Sequence, residues 1–369
     1  MADNEKTIAF TTSVAADAKQ SPVKTTNDSI TPINEKSNAV SAIHRLETFN
    51  MPELYDKSFK VRAPVIDGLL YSDTYLFCGT PKLGKSFMML QIAYHVASGR
   101  ELWGYEVRQG VVLYMALEDD ERRLQERLYR MFDVECVENL YMATHSGTLS
   151  SNLLDQLSSF VQTHTDTSLI IIDTLKRVRE GDDDKYSYAS DYEVITCLKQ
   201  FADNNDICLM VVHHSRKQRA DDIFDMISGT NGLLGAADGG FMFHKEKRTS
   251  SEGVLDVTGR DQPEQTLYLN RDPESLCWVL DKAEMERYQV KEDPIIEPVV
   301  ALMDKRNGYW SGTATELVSD LGVNMNAIVL AKKLNVNASK LINDYGIVYK
   351  NTRTHEGRRI SLSRPDCNA

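Results

Sequence analysis

Eight consecutive residues, Gly79-Thr80-Pro81-Lys82-Leu83-Gly84-Lys85-Ser86, spell GxxxxGK[ST], and each residue type at that spacing has a task in holding phosphate. Two glycines let the backbone curl around an anion without Cβ clashes, so that N–H groups point inward. Lys85 brings a point charge to β- and γ-phosphates, and the Ser86 hydroxyl is a ligand for Mg²⁺. Phe87 follows at once inside the helix that the motif must open, where the helix dipole also favours an anion. The chemistry implied is binding of a nucleoside triphosphate, with ATP and Mg²⁺ as the expected ligands.

A second element fits the first. Ser168-Leu169-Ile170-Ile171-Ile172-Asp173-Thr174 is an aliphatic run that ends in a carboxylate. Delivered beside a phosphate loop by a buried strand, Asp173 would support Mg²⁺ through water.

These residues need strands and helices to place them. An apolar run, Thr74 to Cys78, leads into the loop, and Phe87, Leu90, Ala93, Tyr94 and Ala97 recur at helical spacing over Lys85 to Ser98, which Gly99 ends. Val111 to Leu117 is continuously apolar, as expected of a strand covered on both faces, and it stops at Glu118-Asp119-Asp120. Helices are expected over Glu121 to Met131, Ser151 to Thr163 and Glu193 to Asn204, with strands at Asn139 to Thr144 and Ile207 to Val212. The last of these runs into His213-His214-Ser215-Arg216-Lys217. Alternation of this kind predicts a parallel sheet with right-handed crossovers and ligands at the carboxyl ends of its strands. From Gly229 the pattern changes to short pieces punctuated by glycine. Gly240 to His244, Gly253 to Thr258 and Thr266 to Leu269 then read as hairpin strands that extend the sheet antiparallel.

Composition bounds the rest. A chain of 369 residues with 42% hydrophobic content can form one large domain and a smaller one. No stretch reads as a signal peptide, transit peptide or membrane span, so the chain is expected in the cytoplasm and away from membranes. Six scattered cysteines without a CxxC pair indicate neither zinc nor a disulfide framework. Residues 1–44 are rich in Thr, Ser, Asn, Asp, Lys and Ala without periodicity and read as a disordered tail. A nucleotide-binding domain is then expected over 45–285, a charged linker carrying prolines over 286–298, and a separate unit over 299–369.

The blocks GTPKLGKS, VVLYMALEDD, LIIIDTLKR, LMVVHHSRK and SGTNGLLGAADGGF occur in an order that resembles the RecA-like ATPases of the RepA type, the hexameric replicative helicases of plasmids and related mobile elements. The resemblance covers about Leu46 to Asp281 and implies roles by position. Glu118 matches the catalytic glutamate that orients the attacking water. His214 or His213 matches the position that senses the γ-phosphate, with His214 preferred. A hexamer also needs an arginine that reaches a neighbour's nucleotide; Arg260 is the first candidate, with Arg248 and Lys247 behind it. Two loops would face a central channel and hold single-stranded DNA through Lys176, Arg177 and Arg179 and through Arg216, Lys217 and Arg219.

The net charge of −12 argues against a chain coated in phosphate-binding surface, yet its distribution is uneven. Ile295 to Ala369 holds ten Lys and Arg against seven Asp and Glu. Its apolar spacing suggests helices at Ile295 to Lys305, Thr313 to Leu321, Asn326 to Leu334 and Ala338 to Tyr345, then strands at Ile347 to Asn351 and Arg358 to Leu362. That order looks like a winged helix whose wing, with Arg353, Arg358 and Arg359, would grip duplex DNA. The compact plasmid helicases need no such appendage. Three readings therefore stand at this point: a hexameric ATP-driven DNA helicase, an ATP-switched DNA-binding or regulatory ATPase that unwinds nothing, and a recombinase-like ATPase.

Overall fold

Aliphatic runs buried on both faces form the centre of the structure, a computed structural model that describes residues 48–59, 63–179, 188–216, 222–227, 232–260, 262–285, 293–354 and 357–365. The expected tail at 1–44 lies outside the described residues. The chain divides into a unit of residues 1–50 and a unit of Met51–Ala369, and the elements below belong to the second.

In chain order the first part comprises α1 (Met51–Tyr55), β1 (Thr74–Gly79), α2 (Lys85–Ser98), β2 (Val111–Ala116), α3 (Glu121–Phe132), β3 (Leu140–Ala143), α4 (Leu153–Thr163), β4 (Thr167–Asp173), α5 (Leu175–Val178), α6 (Tyr188–Asn205), β5 (Cys208–His214), α7 (Gly232–Ala236), β6 (Gly239–His244), β7 (Glu252–Gly259), β8 (Gln265–Arg271) and β9 (Trp278–Met285). The nine strands make one sheet in the order β3-β2-β4-β5-β1-β6-β7-β8-β9. From β3 to β6 all neighbours are parallel, and from β6 to β9 they are antiparallel. This is the α/β class and the antiparallel extension that the pattern predicts. One face packs against α2 and α3 through Met88, Leu90 and Leu124. The other packs against α4 and α6 through Leu153, Leu157, Ile195 and Leu198.

The parallel strands inside the edge strand β3 are covered on both sides, which is why their sequences are unbroken apolar runs rather than alternations. The strand β9 escapes that logic. It closes the sheet at residues 278–285, where no strand is expected, because only Trp278 is buried while Asp281, Lys282 and Glu284 face water. Charges on an edge strand discourage pairing with another chain, and they hide the strand in the sequence.

The C-terminal part comprises α8 (Ile296–Lys305), β10 (Tyr309–Gly312), α9 (Ala314–Leu321), α10 (Ala327–Val336), α11 (Ala338–Tyr345), β11 (Val348–Thr354) and β12 (Gly357–Ser363). Its core gathers Ile296, Val299, Trp310, Leu317, Leu330, Leu341 and Ile360. Ile295 and Ile296 are buried there, so this core includes residues of the stretch 286–298 that reads as linker. The helices fall where the spacing puts them, but the hairpin is a three-stranded sheet in the order β10-β12-β11. The four-residue β10 is too short for a periodic signal. Helix α9 starts in a capping box, with Thr313 and Glu316 bonding each other's backbone N–H. The short α1 is seated against this part: Asn335 Nδ2 donates to the Tyr55 carbonyl at 2.8 Å, and Arg358 pairs with Asp56 at 3.1 Å.

Among the described residues no helix is long and apolar enough to cross a membrane.

Candidate active site

The strand β1 ends at Gly79, and the loop that follows needs backbone conformations that most residues avoid. Gly84 caps α2 with φ +99°, a left-handed value that glycine adopts without a Cβ clash. Gly79 is required for a different reason: a Cβ there would stand 2.5 Å from the Phe243 carbonyl oxygen, because β6 runs alongside with Gly79 opposite Phe243.

Inside the loop, Lys85 is 6% exposed. Its ammonium donates to the carbonyl oxygens of Gly79 at 2.9 Å and Thr80 at 3.2 Å, and it lies 3.2 Å from His214 Nδ1. Burial lowers the pKa of Lys85, with Asp173 opposing that shift. Register brings the histidine there, since Gly79 pairs with His214 across β1 and β5. Strand alternation turns His213, one residue earlier, to the other face. Of the two histidines, His214 is the one at the lysine. Its pKa is lowered, first by burial and then by the Lys85 charge.

The carboxylates come from the two strands beyond. Ala116 of β2 pairs with Asp173 of β4, and the Leu117 N–H donates to the Asp173 carbonyl at 2.8 Å, so Glu118 and Asp173 emerge side by side. Asp173 is 4% exposed. Its carboxylate accepts from the Tyr114 hydroxyl at 3.0 Å and is also hydrogen-bonded to Ser86. Burial raises its pKa; the bonds from Ser86 and Tyr114 work against that rise. Glu118 is exposed, and its Oε1 accepts from the Thr174 hydroxyl at 3.0 Å. The two strands therefore hold each other's acids, β2 through Tyr114 and β4 through Thr174.

Mg²⁺ takes hard oxygen ligands and keeps several waters. The Ser86 hydroxyl and the Asp173 carboxylate, already in hydrogen-bond contact, offer two such oxygens at the mouth of a loop built for phosphate. Among the described residues no group of three or more His, Cys, Asp or Glu gathers to hold a metal. The donor set suits an ion completed by nucleotide oxygens and water, not a closed protein cage.

The remaining sequence-derived residues scatter. Lys176 and Arg177 are exposed on α5, one turn beyond Asp173. Arg216 is exposed, with its backbone N–H on the Met226 carbonyl at 2.6 Å; Lys217 and Arg219 lie outside the described residues. Arg260 sits at the far end of the sheet from the phosphate loop of its own chain. There its guanidinium donates to the Gly235 carbonyl at 3.2 Å and approaches Asp238 at 3.7 Å. Arg248 instead reaches the loop itself, donating to the Pro81 carbonyl at 3.3 Å. In the C-terminal part Arg358 and Arg359 are both exposed. Sequence reasoning missed Tyr114 and Thr174. The signal for the first was a hydroxyl inside a run buried on both faces, where a tyrosine must find a partner; for Thr174 no periodicity could have pointed to it.

A phosphate loop at the end of a parallel strand, a histidine at the end of the next strand β5, and an acid at the end of each of the two strands beyond it, β4 and β2, define a P-loop ATPase domain of RecA-like fold. Consistent with this class, residues 44–220 match the AAA domain family model. No curated protein matches the chain. Among solved structures, one described as an ATPase domain is similar at 14% identity and a TM-score of 0.47, over 56% of this chain and 84% of that one. A DnaB-like replicative helicase described with its interactions with primase is similar at 14% identity and a TM-score of 0.47, over 56% of this chain and 57% of that one. A KaiC-like protein from the hyperthermophilic archaeon Pyrococcus horikoshii OT3 is similar at 14% identity and a TM-score of 0.44, over 61% of this chain and 99% of that one.

Proposed function

We propose that this chain is an ATP-hydrolysing DNA motor, a hexameric helicase acting in the replication of a plasmid, phage or other mobile element. The observation that carries the reading is the pairing of acids across two strand ends beside the loop: buried Asp173 bonded to Ser86, and exposed Glu118 held by Thr174. That division of labour suits phosphoryl transfer to water. Glu118 orients the attacking water and accepts its proton, Lys85 neutralises charge on the phosphates, and His214 reports the γ-phosphate to the segment that follows it. Mg²⁺, held by Ser86 and supported by Asp173, neutralises charge on the phosphate oxygens when bound.

DNA enters through the basic residues of the two loops. Lys176 and Arg177 follow Asp173 by three and four positions, and Arg216 follows His214 by two, so phosphate contacts would lie close in sequence to the groups that sense nucleotide. A neighbouring subunit's Arg260 would complete the transition-state charge.

The C-terminal part favours a second reading, in which ATP assembles the protein on duplex DNA without unwinding. Its basic hairpin, with Arg358 and Arg359 exposed, is suited to duplex phosphate rather than to a single strand in a channel. Unwinding of a forked duplex separates the two: ATP-dependent strand separation that E118Q abolishes selects the motor. ATP-dependent DNA binding with no unwinding at saturating protein selects the second reading.

A further inference from the structure

Thr174 stands at the N-cap of α5 with an extended backbone, φ −128° and ψ 167°. A threonine there ordinarily turns its hydroxyl oxygen to a backbone N–H of its own first turn. This one makes no such cap bond. It is 1% exposed, and its hydroxyl donates across to Glu118 Oε1 on the neighbouring strand end. A buried hydroxyl taken from its local partner and given to an exposed glutamate fixes that side chain. A glutamate with three free torsions would otherwise spend much of its time away from any one position.

The turn that carries Thr174 is buried on one side and open on the other. Leu175 and Val178 are fully buried in the core, while Lys176 and Arg177 are exposed. The two cations thus sit on the one-turn element whose N-cap, Thr174, carries the hydroxyl bonded to Glu118. We infer that Thr174 is the positioning residue for Glu118 and that it transmits engagement of Lys176 and Arg177 by DNA phosphate to the activation of water. This rests on the reading of Glu118 as the group that orients the attacking water.

The full-length protein tests it. T174V keeps the shape of the side chain and removes the donor; T174S keeps the donor. The expected result is a fall in kcat of roughly tenfold to a hundredfold for T174V, the scale on which small misplacements of a reacting group act, with KM for ATP within about threefold of the parent. The ratio of rates with and without a single-stranded oligonucleotide falls toward one, while anisotropy shows the oligonucleotide still bound. T174S returns both kcat and the ratio to within about threefold. If T174V does not fold by thermal melting, T174A takes its place against T174S. Parental kcat and ratio in the valine or alanine variant, or a serine variant as impaired as they are, overturns the inference. E118Q in the same assay separates the layers. An inactive E118Q beside an unimpaired T174V sinks the positioning role alone, whereas an E118Q that still turns over sinks the assignment of Glu118 and the inference with it.

Discussion

The Lys85 ammonium lies 3.2 Å from Nδ1 of His214, which presents that nitrogen's lone pair to the charge only while the imidazole is neutral. Burial and the lysine charge both hold the histidine pKa down. Since the unfolded chain takes up this proton near pH 6.5 and the folded chain only at lower pH, stability is complete above roughly pH 6.5 and is lost as pH falls through the depressed folded value. The nucleotide-free protein should therefore lose melting temperature as pH falls below about 6.5, and H214Q should lose less over the same range. Thermal melts of both proteins at a series of pH values check this; parallel curves would remove His214 as the source.

Tyr114 and Asp173 give a second expectation. Removal of the hydroxyl in Y114F leaves one carboxylate oxygen of a buried acid without its 3.0 Å donor, at a cost of about 1–3 kcal/mol. The loss also lifts a main restraint on the Asp173 pKa, which burial already raises, and so weakens the anionic form that supports Mg²⁺. Titration of ATPase rate with Mg²⁺ should show half-saturation moved to higher metal, several-fold, with the rate at saturating metal largely regained. An unchanged Mg²⁺ curve would detach Tyr114 from the metal.

The close approach of β6 to the loop makes Gly79 sensitive to a single methyl. In G79A the new Cβ would meet the Phe243 carbonyl at 2.5 Å, so β1 and β6 must part or the loop must shift. The cost should be about 1–3 kcal/mol, the usual range for overpacking, with ATP binding lost along with it. Denaturant unfolding and binding of a fluorescent ATP analogue measure the two effects.

What the sequence discloses follows burial. The strands carrying Gly79, Asp173 and His214 are buried on both faces, so their composition announces them and their ends locate the chemistry. Glu118 could be placed only by position after such a strand, and His214 could be told from His213 only by register against β1. Residues whose role depends on a partner far along the chain were silent: Tyr114 needs Asp173, and Thr174 needs Glu118, 56 residues before it. The edge strand β9 and the short β10 were hidden for the opposite reason, since neither buries enough to leave a pattern. Arg260, the candidate for a neighbour's nucleotide, shows what only pairing reveals: the antiparallel register of β6 and β7 sets it at the end of its own sheet away from the phosphate loop.

Arg359 tests the C-terminal part. It lies exposed on β12 opposite Thr352, next to Arg358, which Asp56 already engages. If this hairpin grips duplex phosphate, R359A should weaken duplex binding about equally for unrelated sequences and reduce the slope of log affinity against log salt by about one. Anisotropy titrations at several salt concentrations measure both quantities. An unchanged slope would leave the hairpin as a docking surface for protein.

The basic turn after Asp173 gives the sharpest division between a motor and an ATPase that DNA does not govern. Lys176 and Arg177 are exposed on a turn anchored by Leu175 and Val178, so K176E/R177E reverses surface charge without opening the core, and melting temperature should change little. Binding of single-stranded DNA should fall by about tenfold or more at moderate salt, because two phosphate contacts and their released counterions are lost and a repulsion is added. ATP hydrolysis without DNA should persist, since Lys85, Ser86, Asp173 and Glu118 are all retained. The increase in rate on adding an oligonucleotide should disappear. If that stimulation survives the double reversal, the turn does not meet the strand, and DNA must reach the nucleotide site by another route.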